Sequence, residues 1–590
     1  MKKNSRKRND RIAIKVFIAV NVLAAPFIGG EMGVTKIFAE SQTQVATERI
    51  FYIEGKGDVH EIKNAHRRQF AFSPYEPTGL YASPNEKITI QVEGTQNIQA
   101  YIGAYGYDAG WREYGTKIKS FILHPGENTI ENPYGGIIYF HNPQQGGTVK
   151  AEIKTGGIPI PYFVLGKHTK QDLITMLDMY PNAHAVELKG ERSLVTASPE
   201  RVKKYLLGSG TDPTELLKKI DESVRIQDKV DGLSEEQADK HYIAFTEDNH
   251  TSAYMYANNY ATSYVEDAIQ CVLNVKEFTD NGWGPWHEMG HQRQQTPWMW
   301  NGLVEVTTNI YSLFTQRAFG QPSNLYNEGA YEKAFTYLNK TQSEKNYNDI
   351  DGFFVKLVMF WQLDLAFGEE FYPNLHKLYR ELPDSQLPQT SEEKMQGFMY
   401  NASEIANHNL LPFFDKWGLI ATTETRQKIE NLHLPKLNAP IWEATDLKRV
   451  PLNTLPKENM KVIASSEELG VEPATNAIDG NLYTIWHSKW SEQNKYPYNL
   501  TIDLGQTRTI TQLSYLPRQD ESANGRILGY NIFTSTDGVN YQKVTSGTWE
   551  NSKKQQFATF NPVTAKYVKL EVSSGVNGYA SVGEIDILGY

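Results

Sequence analysis

Residues 281–312 read NGWGPWHEMGHQRQQTPWMWNGLVEVTTNIYS. The chain has only 14 histidines in 590 residues, yet His287 and His291 stand four apart around a glutamate, Glu288. On a helix, positions four apart share one face about a turn apart, so two imidazole nitrogens can reach one metal ion. Glu288 falls one residue round, where its carboxylate can touch a water at the metal without being a ligand. Pro297 should end this helix, and a second helix is expected to start near Asn301. Leu303, Val306, Thr307, Ile310 and Phe314 fall at helical spacing and predict its buried stripe. Glu305 and Asn309 share a different face. Glu305 is then free to act as third protein ligand, leaving one coordination position open as a catalytic zinc requires. Asn309, one turn on, is placed to hydrogen-bond one of the ligands. The competing readings are packed core histidines and a solvated helix glutamate.

Where such a site would work follows from the rest of the chain. At 590 residues the chain is too long for one core. Residues 1–11, MKKNSRKRNDR, are basic, and IAIKVFIAVNVLAAPFIGG follows as an apolar run. That order is expected of a secretory signal, with cleavage after Ala39. Lys15 and Asn21 interrupt the run, which argues against a retained membrane anchor. Residues 1–39 hold eight Lys and Arg against two Asp and Glu, so their removal takes the formal charge from −10 to −16. A protein this acidic is repelled by phosphate backbones, which excludes nucleic acid as a partner. The single cysteine, Cys271, allows no internal disulfide, and a cysteine-poor exported chain fits a bacterial exoprotein. No apolar tail follows DILGY, so no C-terminal anchor or stable membrane insertion is expected.

The text of the chain changes character twice. Residues 40–155 read as a β-sandwich, with KITIQVEG and GTVKAEIKTGG alternating between frequent Gly and Pro. Residues 156–435 read as mainly α-helical, as in SPERVKKYLLGSG and GFFVKLVMFWQLDLAFG. Prolines at 435, 440, 451 and 456 mark a linker over 436–457, and residues 458–590 return to β.

The opening stretch resembles the zinc signature of the enhancin-like, mucin-directed metallopeptidases, a gluzincin-type family designated M60. PTGLYASPNEKITIQVEG and NPYGGIIYF are similar to that family's N-terminal sandwich, and KLVMFWQLDLAFGEEFYPNLHKLYRE and LLPFFDKWGL to its later helices. The resemblance spans about residues 49–435. It implies that His287, His291 and Glu305 hold one zinc ion, that Glu288 is the general base, and that the substrate is mucin-type, O-glycosylated protein.

Residues 458–590 resemble a discoidin-like, factor V/VIII C-type domain, also known as carbohydrate-binding module family 32. NAIDGNLYTIWHSKW, LTIDLG, LSYLPRQDESANGRILGYNIFTSTDG and AKYVKLEV carry the likeness. It implies that His487, Arg518 and Asn524 grip the hydroxyls of a galactose- or GalNAc-type sugar while Trp490 and Tyr579 stack on it. These types suit the task, since Arg and imidazole donate to hydroxyls and an indole covers C–H groups. The same likeness implies a structural calcium near Asp479, Thr484 and Glu584, for which turn and strand-end hydrogen bonding is the competing reading.

The expected protein is a secreted bacterial zinc endopeptidase with three parts: β-sandwich, helical peptidase domain and discoidin-like lectin module. Its partners would be mucin-type O-glycoproteins and their galactose or GalNAc glycans. Two rivals stand beside it: a mucus-binding adhesin with a vestigial metal site, and a zinc peptidase for non-glycosylated proteins.

Overall fold

The computed structural model describes residues 48–110, 112–250 and 253–590, so the expected signal over 1–39 lies outside the described residues. No helix among the described residues is long and apolar enough to cross a membrane.

The chain begins with two packed sheets. One runs in the order Ile50–Lys56, Gln145–Thr155, Ile88–Glu93, Gly126–Ile130; the other in the order Lys119–Leu123, Ile98–Ile102, Gly136–His141, Glu76–Ala82, Ile158–Pro159. Alternation makes the sandwich. Ile88, Ile90 and Val92 point inward from one sheet and meet Leu80, Ile98, Ala100 and Phe140 of the other in a single core.

The helical domain opens with a six-stranded sheet that the sequence reading did not separate from its helices. It comprises β1 (Tyr162–Val164), β2 (Val186–Lys189), β3 (Ser193–Ala197), β4 (Ile243–Asp248), β5 (Met255–Asn258) and β6 (Ala261–Val265), in the order β1-β2-β3-β4-β6-β5. Every residue of β3 and of β4 is buried, polar ones included, so neither strand shows the alternation that marks a one-sided strand. Beneath the sheet lies α1 (Pro213–Val230), capped by Asp212, whose Oδ1 accepts from Thr214 N.

Two further helices carry the signature. They are α2 (Trp283–His291) and α3 (Val304–Ala318). Pro285 sits in the first turn of α2, where its missing N–H costs nothing. The helix stops at His291, before Pro297, and α3 starts at Val304 rather than near Asn301. The predicted stripe is buried at Leu303, Val306, Thr307 and Ile310 and half-buried at Phe314. Gly290 is required by the packing of the pair: a Cβ there would lie 2.6 Å from Thr308 Oγ1 and 2.7 Å from Thr308 O. Behind them, α4 (Phe353–Phe367), α5 (Phe371–Glu381) and α6 (Ser391–Ala406) close an aromatic core around Trp298, Phe360, Tyr372 and Phe398.

The C-terminal module is built on long antiparallel strands. Its sheet runs Lys461–Ala464, Tyr498–Leu516, Gln556–Gly575, Ile527–Ser535, Gln542–Thr548, with Glu584–Gly589 paired to Tyr498–Leu516. The core centres on Trp486, Leu500, Leu513, Ile532 and Leu570.

The segment expected as a linker is a strap. Ile441, Ala444 and Val450 are buried in the same core as the peptidase helices, together with Leu482 and Leu516 of the module. Asp446 accepts from Trp361 Nε1 (2.8 Å) and Tyr331 OH (2.6 Å), and Gln362 Nε2 donates to Trp442 O (2.6 Å). The prolines stop regular structure without freeing the chain.

Candidate functional site

Helices α2 and α3 bring three side chains to one point. His287 Nε2 lies 3.0 Å from His291 Nε2 and 3.0 Å from Glu305 Oε2, and His291 Nε2 lies 3.5 Å from Glu305 Oε2. Among the described residues, these three form the group of His, Cys, Asp and Glu side chains found close enough to hold one metal ion. Their second nitrogens are committed elsewhere. His287 Nδ1 donates to Asn309 Oδ1 (2.7 Å), and Asn309 Nδ2 donates to Glu305 O (2.9 Å). His291 Nδ1 donates to Gln294 Oε1 (2.8 Å), while Gln294 Nε2 donates to Val304 O and Thr307 Oγ1. With each Nδ1 proton directed at an amide oxygen, both Nε2 lone pairs face Glu305. The donor set, two neutral imidazoles and a carboxylate, is the chemistry zinc takes in open catalytic sites.

Asn309 was legible from its spacing. Gln294 was missed, although its place three residues past His291, on the turn leaving α2, was a usable signal. Asn309→Leu should weaken zinc affinity by roughly 10- to 100-fold in a chelator-competition titration. Equal affinity in the variant would show that His287 needs no orienting partner.

Glu288 is buried to 7% exposure on the adjoining face of α2, and loss of solvent holds its carboxyl above the usual carboxylate range. It is no member of the three-residue group. Beside α2 runs β5, the terminal strand of its sheet, with Met255 against Gly284 and Asn258 O accepting from Gln292 Nε2 (3.0 Å). The metal group thus lies next to a sheet edge.

Family models match the three parts in turn. Residues 59–155 match the N-terminal domain of M60-like peptidases, residues 156–418 match peptidase M60, enhancin and enhancin-like, and residues 461–585 match the F5/8 type C domain. The chain belongs to the M60 peptidase family. The family model describes peptidases, enhancin and enhancin-like. Among solved structures, a mutant of a functionally unknown conserved protein from Bacillus anthracis str. Ames is 43% identical, covering 77% of this chain and 96% of that one, with a TM-score of 0.65. The M60 catalytic domain of Clostridium perfringens ZmpC in complex with the sialyl T antigen is 20% identical, covering 88% of this chain and 100% of that one at a TM-score of 0.59, a likeness of fold. A sialidase from Micromonospora viridifaciens is 40% identical over 131 residues, 21% of this chain and 20% of its own. The M60 chain spans about a fifth of the length of the first curated relatives it matches.

Of the five residues singled out in the module, His487 and Trp490 both contact Tyr579, and Arg518 contacts Asn524. His487 and Tyr579 stand with ring centroids 5.3 Å apart, and Tyr579 OH donates to Trp490 O (3.1 Å). Arg518 donates from NH1 to Asn524 O (3.1 Å) and is clamped by Asp520, with Nε to Oδ1 at 2.7 Å and NH2 to Oδ2 at 2.6 Å. Asn524 Oδ1 accepts from Asn577 Nδ2 (2.5 Å). His487 Nδ1 donates to Ser488 O (2.6 Å), which leaves Nε2 as an acceptor. His487 and Arg518 are buried, Trp490 is 53% exposed, and that division suits a recess with a stacking lip.

The residues expected near a calcium are held by other partners. Thr484 Oγ1 donates to Asp479 Oδ2 (2.7 Å), so those two satisfy each other. Glu584 Oε1 meets Lys457 Nζ at 2.7 Å, and Lys457 also acts on Asp479. The same ammonium reaches Asp586 Oδ1 (2.7 Å) and Glu443 Oε2 (2.9 Å).

Proposed function

We propose that this chain is a secreted bacterial zinc endopeptidase acting on mucin-type O-glycosylated proteins, held on its substrate by galactose- or GalNAc-type glycans at the C-terminal module. The observation that carries the chemistry is the convergence of His287, His291 and Glu305 with both Nδ1 protons directed at amides. Zinc bound there supplies the Lewis acidity that polarises a peptide carbonyl and acidifies water. Glu288 takes the proton of the attacking water as the C–O bond forms. It then returns that proton to the amine nitrogen as the C–N bond breaks. Burial suits it to both roles, because a carboxyl above its usual range holds a proton more readily near neutral pH. The outer side of β5, the terminal strand of its sheet among the described residues, gives an extended polypeptide a strand to pair with alongside α2.

The substrate class is supported by the pairing of a peptidase domain with an F5/8 type C domain in which His487 and Trp490 both contact Tyr579 while Arg518 acts on His487. A strong chelator should abolish cleavage of an O-glycosylated mucin fragment, and stoichiometric zinc should restore it. Enzymatic removal of the O-glycans should slow cleavage by the zinc-loaded protein. Full activity in metal-free protein would remove the zinc reading. Equal cleavage of the bare polypeptide would favour a peptidase for non-glycosylated proteins.

A further inference from the structure

The turn Glu468–Glu472 stands against the recess of the module and has no part in the contacts described above. Glu468 and Glu472 bridge each other around Gly470, whose φ of +78° suits a residue without a side chain. The turn is stitched to the strand carrying His487: Glu468 N donates to His487 O (3.1 Å), and His487 N donates to Glu472 O (3.2 Å). The same two glutamates hold Trp490. Its backbone N donates to Glu468 Oε2 (2.9 Å) and its Nε1 donates to Glu472 Oε2 (3.2 Å). Between them Leu469 and Val471 stand 75% and 60% exposed. Two aliphatic side chains and an indole thus stand exposed beside buried His487.

We propose that this turn is a second subsite of the module and takes the acetamido group of a neutral N-acetylated sugar. The acetamido methyl would lie against Leu469 and Val471, and its N–H would be accepted by the carboxylates of Glu468 and Glu472. This rests on the reading of the module as sugar-binding. Charge selects the occupant. Glu468 and Glu472 both act on His487, so their charge is felt inside the recess. The opposing cation, Arg518, is already neutralised by Asp520, and Lys489 acts on Glu492. An acidic sugar or a lipid phosphate would meet net negative charge, whereas a neutral acetamide offers a donor and a methyl.

The test is titration calorimetry on the full chain with methyl α-N-acetylgalactosaminide and methyl α-galactoside, for wild type, L469S/V471S and R518A. Wild type should prefer the N-acetylated sugar by about fourfold, the effect of burying one methyl group. L469S/V471S, altered only at exposed positions, should keep its galactoside affinity and lose the preference. R518A should weaken both sugars alike. A preference that survives L469S/V471S, or an equal loss of both sugars in that variant, overturns the subsite. If wild type binds neither sugar, the sugar-binding reading itself falls, and the subsite with it. Wild-type binding to phosphatidylcholine vesicles that L469S/V471S abolishes would replace the sugar with a lipid surface.

Discussion

Glu288→Ala should retain the fold and one bound zinc while losing about 10²- to 10⁴-fold in turnover, the range that positioned acid–base groups supply. Separation of metal binding from turnover is what distinguishes this residue from its neighbours. His287, His291 and Glu305 meet through ligand atoms, whereas Glu288 projects from the adjacent position of α2. His291→Ala should therefore lose metal and activity together. Glu288→Gln sharpens the comparison. It keeps the shape of a buried side chain at 7% exposure and removes only the capacity to take a proton. Metal content by atomic spectroscopy and turnover on an O-glycosylated peptide should be measured on the same preparations. A zinc-free Glu288→Gln protein would place this glutamate among the ligands. A zinc-replete variant at wild-type turnover would remove the proton transfer assigned to it.

Local patterns in the sequence carried the metal site because helical geometry made them sufficient. Four-residue spacing puts His287 and His291 on one face, and the stripe through Val306 and Ile310 fixes which way α3 turns, so Glu305 and Asn309 followed. Glutamine at 294 escaped because its role depends on how the chain leaves α2, where Arg293 N and Gln294 N share Gly290 O as the helix ends. The six-stranded sheet escaped for a different reason. Strands β3 and β4 are buried on both faces, and their polar residues are satisfied internally, as when Glu247 Oε1 of β4 accepts from Arg201 NH1 (2.6 Å). Periodicity has nothing to report there. Prolines at 440 and 451 were a correct sign of broken secondary structure and a poor guide to freedom. Burial of Ile441 and Val450 depends on helices of the peptidase domain, which the strap meets through residues 80 to 115 positions upstream.

Lys457→Met should destabilise the protein by about 3–5 kcal/mol, the cost of breaking a buried ion pair at one partner. The lysine lies between the strap and the module, with Nζ on Glu443, Glu584 and Asp586, and Lys448 Nζ adds contacts to Glu443 (2.9 Å) and Asp586 (3.4 Å). Lys448, Glu584 and Asp586 are buried and Lys457 and Glu443 nearly so, with side-chain exposures of 9% and 12%, so two ammonium groups face three carboxyls with little access to solvent. Burial pushes the Glu584 carboxyl up to about 8 against the pull of Lys457 and Lys448, and a proton on it makes the cluster neutral. Methionine fills similar space and leaves the carboxyls without their central cation. The double variant K457M/E584Q, which also removes one buried acid, should recover part of the loss. The pH dependence has a definite sign. A carboxyl whose folded value lies above its unfolded one contributes stability below the ordinary carboxylate range and loses it as pH rises toward 8. Wild type should therefore melt progressively lower across that interval, and Glu584→Gln should flatten the slope. Proteolysis supplies the structural readout: cleavage within 436–457 should be slow in wild type and fast in Lys457→Met, because the strap is held from both sides. Equal melting temperatures and equal cleavage would mean that apolar contacts at Leu482 and Leu516 alone fix the module to the peptidase.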